Sequence, residues 1–333
     1  MATATVSGQP RRSTSRALWR VVRETVASCL RNRVTGLAAE VGFFALLSLP
    51  PLVLGLVGSI GYFGGWLGPE TVADVRSEIV ELARVALTER SVQQVIEPTL
   101  NDVLDGGRFE LVSLGFVLSI WSGSRALNVY VDTITIMYGL SGVRGIVRTR
   151  LLSLSLYVIG LVLGTVSVPL VLAGPELVDR LLPAQLDRLN SLYWPLVLVG
   201  TIAFLATLYH VSVPVRTAWW RAVPGAGLAV AIWIGGSYLL RWIIAASVGS
   251  TSIYGPLAAP IVVMLWLYVL AIAVLIGAAL NAAISTVWPM RSVEDARDAA
   301  PAPDPARVLT PVRPPAQAGP ANVPPPAPAG SAS

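Results

Sequence analysis

The sequence is short of the residues that metal, redox and nucleotide chemistry require. It has one cysteine, Cys29, and one histidine, His210, which excludes a disulfide framework, a cysteine-rich zinc site, an iron–sulfur cluster and the usual multi-histidine metal sites. It has no lysine, so the phosphate-binding motif GxxxxGK[ST] is absent. We expect no cofactor, no bound metal, no enzymatic activity and no ATP-driven transport by this chain alone.

Charge is also scarce. Only 13% of the 333 residues are charged, whereas 54% are hydrophobic. Soluble domains carry about 25% charged residues, so this composition could not cover a water-facing surface. The net charge of +5 comes from arginines spread along the chain rather than clustered in one patch. We therefore expect a membrane protein with no nucleic-acid partner.

Six apolar segments reach the length of about 20 residues that a helix needs to cross the hydrocarbon core. They cover residues 37–63, 111–130, 151–172, 192–211, 222–245 and 256–284. The sequence thus predicts an all-α, polytopic integral membrane protein with six transmembrane helices in a domain spanning 34–290. An even number of spans places both termini on the same side.

The distribution of arginine predicts the orientation, because cytoplasmic loops carry an excess of positive charge. The loops at 64–110 and 173–191 mix their arginines with acids, so we place them outside. The segments predicted to be cytoplasmic contain Arg11, Arg12, Arg16, Arg20, Arg23, Arg31, Arg33, Arg144, Arg148, Arg150, Arg216 and Arg221. Both termini are therefore predicted to be cytoplasmic.

Residues 17–33 have the pattern of a basic amphipathic helix. Trp19, Val22, Val26 and Cys29 recur at helical spacing, with arginines on the remaining faces. Such a helix is expected to lie on the inner leaflet, with its arginines against anionic lipid. An ordinary basic flank that only sets the topology is an equal alternative.

The other regions outside the spans differ in composition. Residues 1–16 and the Pro/Ala-rich tail at 291–333 cannot bury a core, so we predict that both are disordered and cytoplasmic. The outer loop at 64–110 is rich in helix formers. Apolar residues recur there every three or four positions around Val75 and again from Val92, which predicts two short amphipathic helices that pack on the bundle or cap an outward-facing cavity.

Three stretches of sequence carry a resemblance to a known family. The first is residues 38–50, Ala-Ala-Glu-Val-Gly-Phe-Phe-Ala-Leu-Leu-Ser-Leu-Pro, and the second is 128–139 with Arg-Thr-Arg at 148–150. The third includes Pro-Gly-Ala at 224–226, Trp233, Ser-Ile-Tyr-Gly at 252–255, Leu-Trp-Leu-Tyr at 265–268 and Gly-Ala-Ala-Leu-Asn-Ala at 277–282. In this order the chain resembles the BrkB virulence-factor family, also called the YihY family, over residues 20–288.

The resemblance implies a multi-pass protein of the bacterial inner membrane. Relatives are linked to serum resistance, some are discussed as transporters of lipids or envelope precursors, and some were labelled ribonucleases. Metal-dependent RNA cleavage needs clustered histidines or carboxylates, which the predicted spans lack. Many members carry a glutamate where this chain has Ala279. An ion-coupling role assigned to that glutamate in relatives therefore cannot be assigned to this chain.

We therefore predict a transporter-like carrier of a small or lipidic, envelope-associated molecule. A non-transporting scaffold or envelope-integrity factor that recruits partners is the alternative. The candidate substrate pathway comprises polar, aromatic and helix-breaking residues within or beside the spans: Glu40, Pro50, Arg125, Asn128, Asp132, Tyr254 and Asn281.

Within this set, Arg125, Asn128 and Asp132 share one face of the second span. A boundary near 130 puts Arg125 roughly 7–8 Å inside the inner leaflet, at 1.5 Å per residue. Glu40 enters the first span at a similar depth. We hypothesise a Glu40–Arg125 pair that lines the cytoplasmic mouth of a substrate cavity; snorkelling of each side chain without function is the alternative.

Other features have structural interpretations as well as functional ones. Pro50-Pro51 must break or bend the first span, and the freed carbonyls would bind either substrate or neighbouring helices. Asn281 favours a hydrogen bond between helices over a substrate contact. His210 is expected to be a bystander. The pair Gly160 and Gly164 favours packing within the monomer, while a homo-oligomer remains open.

Overall fold

This computed structural model describes residues 14–67, 92–104, 109–181, 187–247 and 258–299, together with 73, 76–77, 80–81 and 89. Within these ranges the chain forms helices and connecting turns. A π-helical turn at Val92–Ile96 precedes α3, and a 3₁₀ turn at Trp219–Ala222 precedes α7. The helices are α1 (Thr14–Arg31), α2 (Val34–Leu67), α3 (Glu97–Leu104), α4 (Phe109–Met137), α5 (Ile146–Leu181), α6 (Asp187–Ser212), α7 (Val223–Ser247), α8 (Ala258–Val287) and α9 (Arg291–Asp298).

Five of the described helices are long and apolar enough to cross a membrane: α2, α5, α6, α7 and α8. The prediction of an all-α polytopic membrane protein is confirmed. The predicted second span falls in α4, which has 29 residues but is not among the five. Its serines, together with Arg125 and Asn128, make it less apolar than the others. A sixth span therefore stays a prediction.

The buried core lies near one end of the bundle, where α2 begins and α4 ends. The fully buried side chains of this core include Ala38, Ile134, Leu140, Tyr209 and Leu275. Farther along the helices, large apolar side chains are exposed instead, and Ser153 is the only buried side chain among those described in α5. This contrast is what a lipid-facing surface around a locally packed core would produce.

At this end, side chains from neighbouring elements bind the last carbonyls of three helices. Arg144 donates to the carbonyls of Val211 and Ser212 at 3.3 and 3.5 Å, where α6 ends. Arg221 donates to the carbonyl of Trp288, just after α8, at 3.3 Å. Positive charge is favourable at a helix C-terminus, where carbonyls lack intrahelical partners. We call this the capped end of the bundle.

The third cap comes from α9, within the predicted tail. Residues 291–298 were expected to be disordered, but they form a helix whose Val293 is buried. Arg297 donates to the carbonyl of Tyr138, just after α4, at 2.7 Å, and it lies against Gly139, whose φ is +69°. The disordered-tail prediction is therefore wrong for these residues, because α9 has an apolar contact that its charged composition obscures.

Tyr138 is buried at the same contact. Burial raises the pKa of its phenol to about 12, and the positive charge of Arg297 opposes that shift. The phenol therefore stays neutral under physiological conditions.

The predicted amphipathic helix at 17–33 overlaps α1. That helix ends at Arg31, because Arg33 has a φ of +49° and the chain turns there into α2. Of the two helices predicted in the outer loop, the structure describes α3 and the turn before it, which bury Leu100 and Val92. Of the first predicted helix, residues 73, 76–77 and 80–81 are described, and all are helical. The predictions for 1–13 and 300–333 lie outside the described residues.

Helices α7 and α8 cross at two glycines. A Cβ at Gly225 would overlap the Gly277 carbonyl and the Asn281 amide, and a Cβ at Gly277 would overlap the Gly225 carbonyl and the Tyr209 hydroxyl. The Tyr209 hydroxyl also donates to the Val274 carbonyl at 2.7 Å. The backbones therefore approach as closely as hydrogen in place of a side chain allows.

Truncation tests the role of α9. Ending the chain after Asp298 should leave thermal stability in detergent unchanged, since α9 is kept. Ending it after Met290 removes the burial of Val293, worth about 1.5–3 kcal/mol, and the charged hydrogen bond from Arg297, worth about 1.5–3 kcal/mol. We expect a clear drop in melting temperature for the shorter chain only; equal melting temperatures would contradict the docking of α9.

A matched pair of glycine substitutions tests the crossing. Gly225→Ala should destabilise the protein by about 1–3 kcal/mol, because the added methyl has no space. Gly227→Ala on the same helix should leave stability unchanged or raise it by up to about 1 kcal/mol, since a Cβ there meets nothing within 4 Å and alanine is favoured over glycine inside a helix. Thermal unfolding of the two purified variants checks this, and similar losses in both would contradict the close approach.

Candidate functional site

Helix α4 holds the central position among the candidate residues. It makes the most extensive helix interface with α2 and a second one with α5. A Cβ at Gly115 of α4 would lie 2.8 Å from the Pro51 carbonyl, and Gly55 of α2 faces the ring of Phe116. These small residues bring α2 and α4 close together, which places the candidate residues of both helices on neighbouring surfaces.

Arg125 lies over an aromatic ring of α2. Its guanidinium carbon is 5.2 Å from the centroid of Phe44, within the distance of a cation–π contact. Helix α4 continues to Met137 rather than ending near 130. Arg125 therefore lies roughly 18 Å before the end of its helix, at 1.5 Å per residue, and its predicted depth of 7–8 Å below the membrane boundary stays a prediction.

The predicted Glu40–Arg125 pair is absent. In the part of the chain that the structure describes, the only ion pair joins Arg31 to Glu24 at 2.6 Å, and Glu40 is exposed. The reason is local: Phe44 lies one helical turn after Glu40, so its ring takes the place next to the guanidinium. The prediction of the pair was wrong.

Asn128 and Asp132 extend the face of Arg125 toward the capped end. The Asn128 side-chain oxygen is buried and has no hydrogen-bond partner, whereas Asp132 is exposed. An unpartnered buried acceptor is costly in a low-dielectric environment. We call Glu40, Phe44, Arg125, Asn128 and Asp132 the polar lane.

In the other direction the same face of α4 becomes apolar. Leu114, Leu118 and Trp121 lie eleven, seven and four residues before Arg125, and all three are exposed. The polar lane therefore opens along the side of the bundle and continues as an apolar surface of the kind that faces lipid.

Pro50 does not interrupt its helix. Helix α2 runs for 34 residues through Pro50 and Pro51, and Pro50 is exposed. Just before the prolines, the Ser122 hydroxyl of α4 donates to the Phe44 carbonyl at 2.9 Å, and the Ser48 hydroxyl donates to the Ala45 carbonyl at 2.7 Å. These two carbonyls each lie two residues before those of Leu46 and Leu47, which the prolines leave without amide donors, so both interpretations of Pro50 stay predictions.

Asn281 belongs to the packing of the bundle. Its oxygen accepts from the Gly225 amide at 2.8 Å, and its nitrogen donates to the Ala222 carbonyl at 3.0 Å. Helix α8 therefore caps the start of α7, and these two bonds occupy both amide atoms. The structural interpretation of Asn281 is the one that this geometry favours.

Two further residues, Tyr254 and His210, and one glycine pair were singled out in the sequence. Tyr254 lies outside the described residues. The Thr217 hydroxyl is 3.4 Å from Nδ1 of His210, a hydrogen bond consistent with a bystander. A Cβ at Gly160 or Gly164 would meet nothing within 4 Å, so the expected packing of this pair within the monomer is wrong, and the homo-oligomer stays open.

Sequence reasoning missed the contact that holds α5 to α4. Tyr157 lies where a Cβ at Gly123 would overlap its ring, and its hydroxyl is 2.7 Å from that of Ser119. The signal was present: Gly115, Ser119 and Gly123 recur every four residues, which is typical of close helix packing. The charged residues of α4 lie on a different face of the helix from these small residues.

Substituting Asn281 separates a structural role from a substrate contact. Asn281→Ala leaves the Gly225 amide and the Ala222 carbonyl without partners, which should cost about 1–3 kcal/mol of stability. Asn281→Asp keeps an acceptor for Gly225 and should lose less. Melting temperatures, with activity expressed per folded protein, check this. Lost activity at full stability would instead point to a substrate contact.

Comparison with known proteins agrees with the resemblance described above. The family model described as "Virulence factor BrkB" matches residues 25–302. A ribonuclease-like protein named YfkH, of Bacillus subtilis (strain 168), is 28% identical over 254 residues, which cover 74% of this chain and 88% of that protein. No solved structure gives a significant match.

Proposed function

The chain belongs to the BrkB virulence-factor family, and from this premise we propose that it is a transporter-like carrier of a lipidic, envelope-associated molecule. The polar head of that molecule moves along the polar lane, while its apolar part stays in the surrounding lipid. We further propose that α4 is the sixth span, since it lies between α2 and α5 and packs against both.

The observation that carries this proposal is the sideways exposure of the polar lane. Arg125 has no carboxylate partner in the described part of the chain, and Asp132 is exposed on the same face. An arginine at the centre of a membrane helix costs about 2.5–3.5 kcal/mol on insertion scales. A polar head or its accompanying water, present along the lane, would reduce that cost.

The orientation is part of the proposal. We place the capped end in the cytoplasm of a bacterial cell and the protein in the inner membrane, since Arg144, Arg148, Arg150, Arg216 and Arg221 cluster at this end. The lane then opens toward the inner leaflet. With no ATP-binding motif in the sequence, movement is passive, coupled to a gradient or driven by another subunit.

Reconstitution tests the carrier. The protein is placed in vesicles with a fluorescent phospholipid, and transfer between leaflets is followed by chemical quenching of the outer leaflet. We expect the wild type to transfer the lipid faster than empty vesicles do. Arg125→Gln should transfer it at least about tenfold more slowly than the wild type, which corresponds to about 1.4 kcal/mol. Arg148→Gln, an exposed arginine outside the lane, is the matched control and should transfer normally.

The same assay tests whether Arg125 acts in the polar lane or as the partner of Glu40 in an ion pair. The double variant Glu40→Arg with Arg125→Glu should not restore transfer, because the two side chains do not pair. Arg125→Lys should keep part of the activity, since it keeps the charge. Normal transfer by Arg125→Gln, or restored transfer in the charge-swapped variant, would contradict the role of the lane.

A scaffold is the second candidate, favoured by one observation: a Cβ at Gly160 or Gly164 of α5 would meet nothing within 4 Å in the described monomer, which leaves space for a partner helix. A scaffold predicts no transfer of any lipid above background, together with loss of a protein complex in the deletion strain. The name of the ribonuclease-like relative YfkH raises RNA cleavage as a third possibility. We propose that this chain is not an enzyme and expect RNA to remain intact when it is incubated with the purified protein.

A further inference from the structure

Helix α1 has a fixed orientation against the bundle. It packs on α8 and buries Val21, Thr25 and Ser28, which lie on one face. The Thr25 hydroxyl bonds within the helix, to the Val21 carbonyl at 2.8 Å. Because this face is held, the directions of the other two faces are determined.

The second face is apolar and exposed. Leu18, Val22 and Val26 are 64%, 47% and 53% exposed, and Trp19 and Leu30 extend the same surface. Helical spacing places these side chains together, beside the buried face. Large apolar side chains so arranged require a hydrophobic cover.

The third face carries arginine. Arg16, Arg20 and Arg23 line a cavity of 460 Å³ together with Ser15 and Trp19. None of these arginines forms an ion pair in the described part of the chain. The acid of this helix, Glu24, is paired with Arg31 instead. The cluster is therefore a site of unneutralised positive charge.

We propose that α1 lies in the membrane interface and that Arg16, Arg20 and Arg23 bind the headgroup phosphate of anionic lipid. The Leu18, Val22 and Val26 face then contacts the acyl-chain boundary, and Trp19, between the two faces, lies at headgroup level. Arginine matches phosphate through bidentate hydrogen bonds as well as charge.

A lipid surface is the occupant that the geometry favours. Helix α2, a candidate span, begins at Val34, immediately after the turn at Arg33. The short connection keeps α1 at the membrane surface. At the membrane surface, the apolar face of α1 can contact the acyl chains while the adjacent arginine cluster contacts the headgroup phosphates. The inference is independent of the polar lane.

Site-directed labelling tests the depth of each face. Cys29 is the only cysteine, so Cys29→Ser gives a cysteine-free background for the full-length protein. A bimane label at Leu18→Cys should be quenched by brominated lipid at least about twofold more than a label at Ala27→Cys, nine residues and half a rotation away. Equal quenching, or stronger quenching at position 27, would overturn the interfacial placement.

Lipid binding tests the arginine cluster. Native mass spectrometry of the protein with phosphatidylglycerol should show about tenfold fewer bound lipids for Arg16→Gln/Arg20→Gln/Arg23→Gln than for the wild type. Phosphatidylcholine binding should not change. The matched control removes three other exposed arginines, Arg148, Arg150 and Arg216, and should keep its phosphatidylglycerol.

Two further measurements, with a lysine variant and with a soluble phosphate competitor, test the arginine cluster. Arg16→Lys/Arg20→Lys/Arg23→Lys keeps the charge and should keep most of the binding, even if the glutamine variant is poorly folded. Glycerol phosphate at millimolar concentration should not displace the lipid. Displacement, unchanged binding in the glutamine variant, an equal loss in the control, or capture of a second copy through α1 would each overturn the proposal.

Discussion

The packing at the capped end depends on one requirement: the backbone groups that a helix leaves unpaired at its ends need partners from other elements. Arg144, Arg221 and Arg297 supply the partners where α6, α8 and α4 end, and Asn281 supplies them where α7 begins. Each cap comes from a different element from the one that it completes. The same bonds that satisfy the backbone therefore also hold the helices in register.

Helix α4 combines two roles that usually exclude each other in a membrane helix. Its small residues, Gly115 and Gly123, let Pro51 and Tyr157 of the neighbouring helices approach closely. Its opposite side carries Arg125 and Asp132, which packing leaves partly or wholly exposed. Tight contact on one side fixes the position of the charged side, which is the arrangement that a pathway along the protein surface requires.

The sequence predicts the apolar helices well, because length and composition suffice for them, and it predicts the candidate site poorly. Similar depth suggested that Glu40 and Arg125 meet, but depth does not determine the direction in which a side chain points, and Phe44 intervenes. The second span was predicted to reach a membrane boundary near 130, whereas α4 continues to Met137 and buries Ile134 and Thr135. The contact of Arg297 with Tyr138 joins residues 159 apart and leaves no local signal.

That last contact has a consequence for biosynthesis. The chain is made from the N-terminus, so α4 leaves the ribosome long before α9 does. Until then, the Tyr138 carbonyl lacks its hydrogen bond from Arg297, and the Arg297 side chain does not yet cover the turn at Gly139. The junction between α4 and α5 is therefore completed only after all the long helices have been translated.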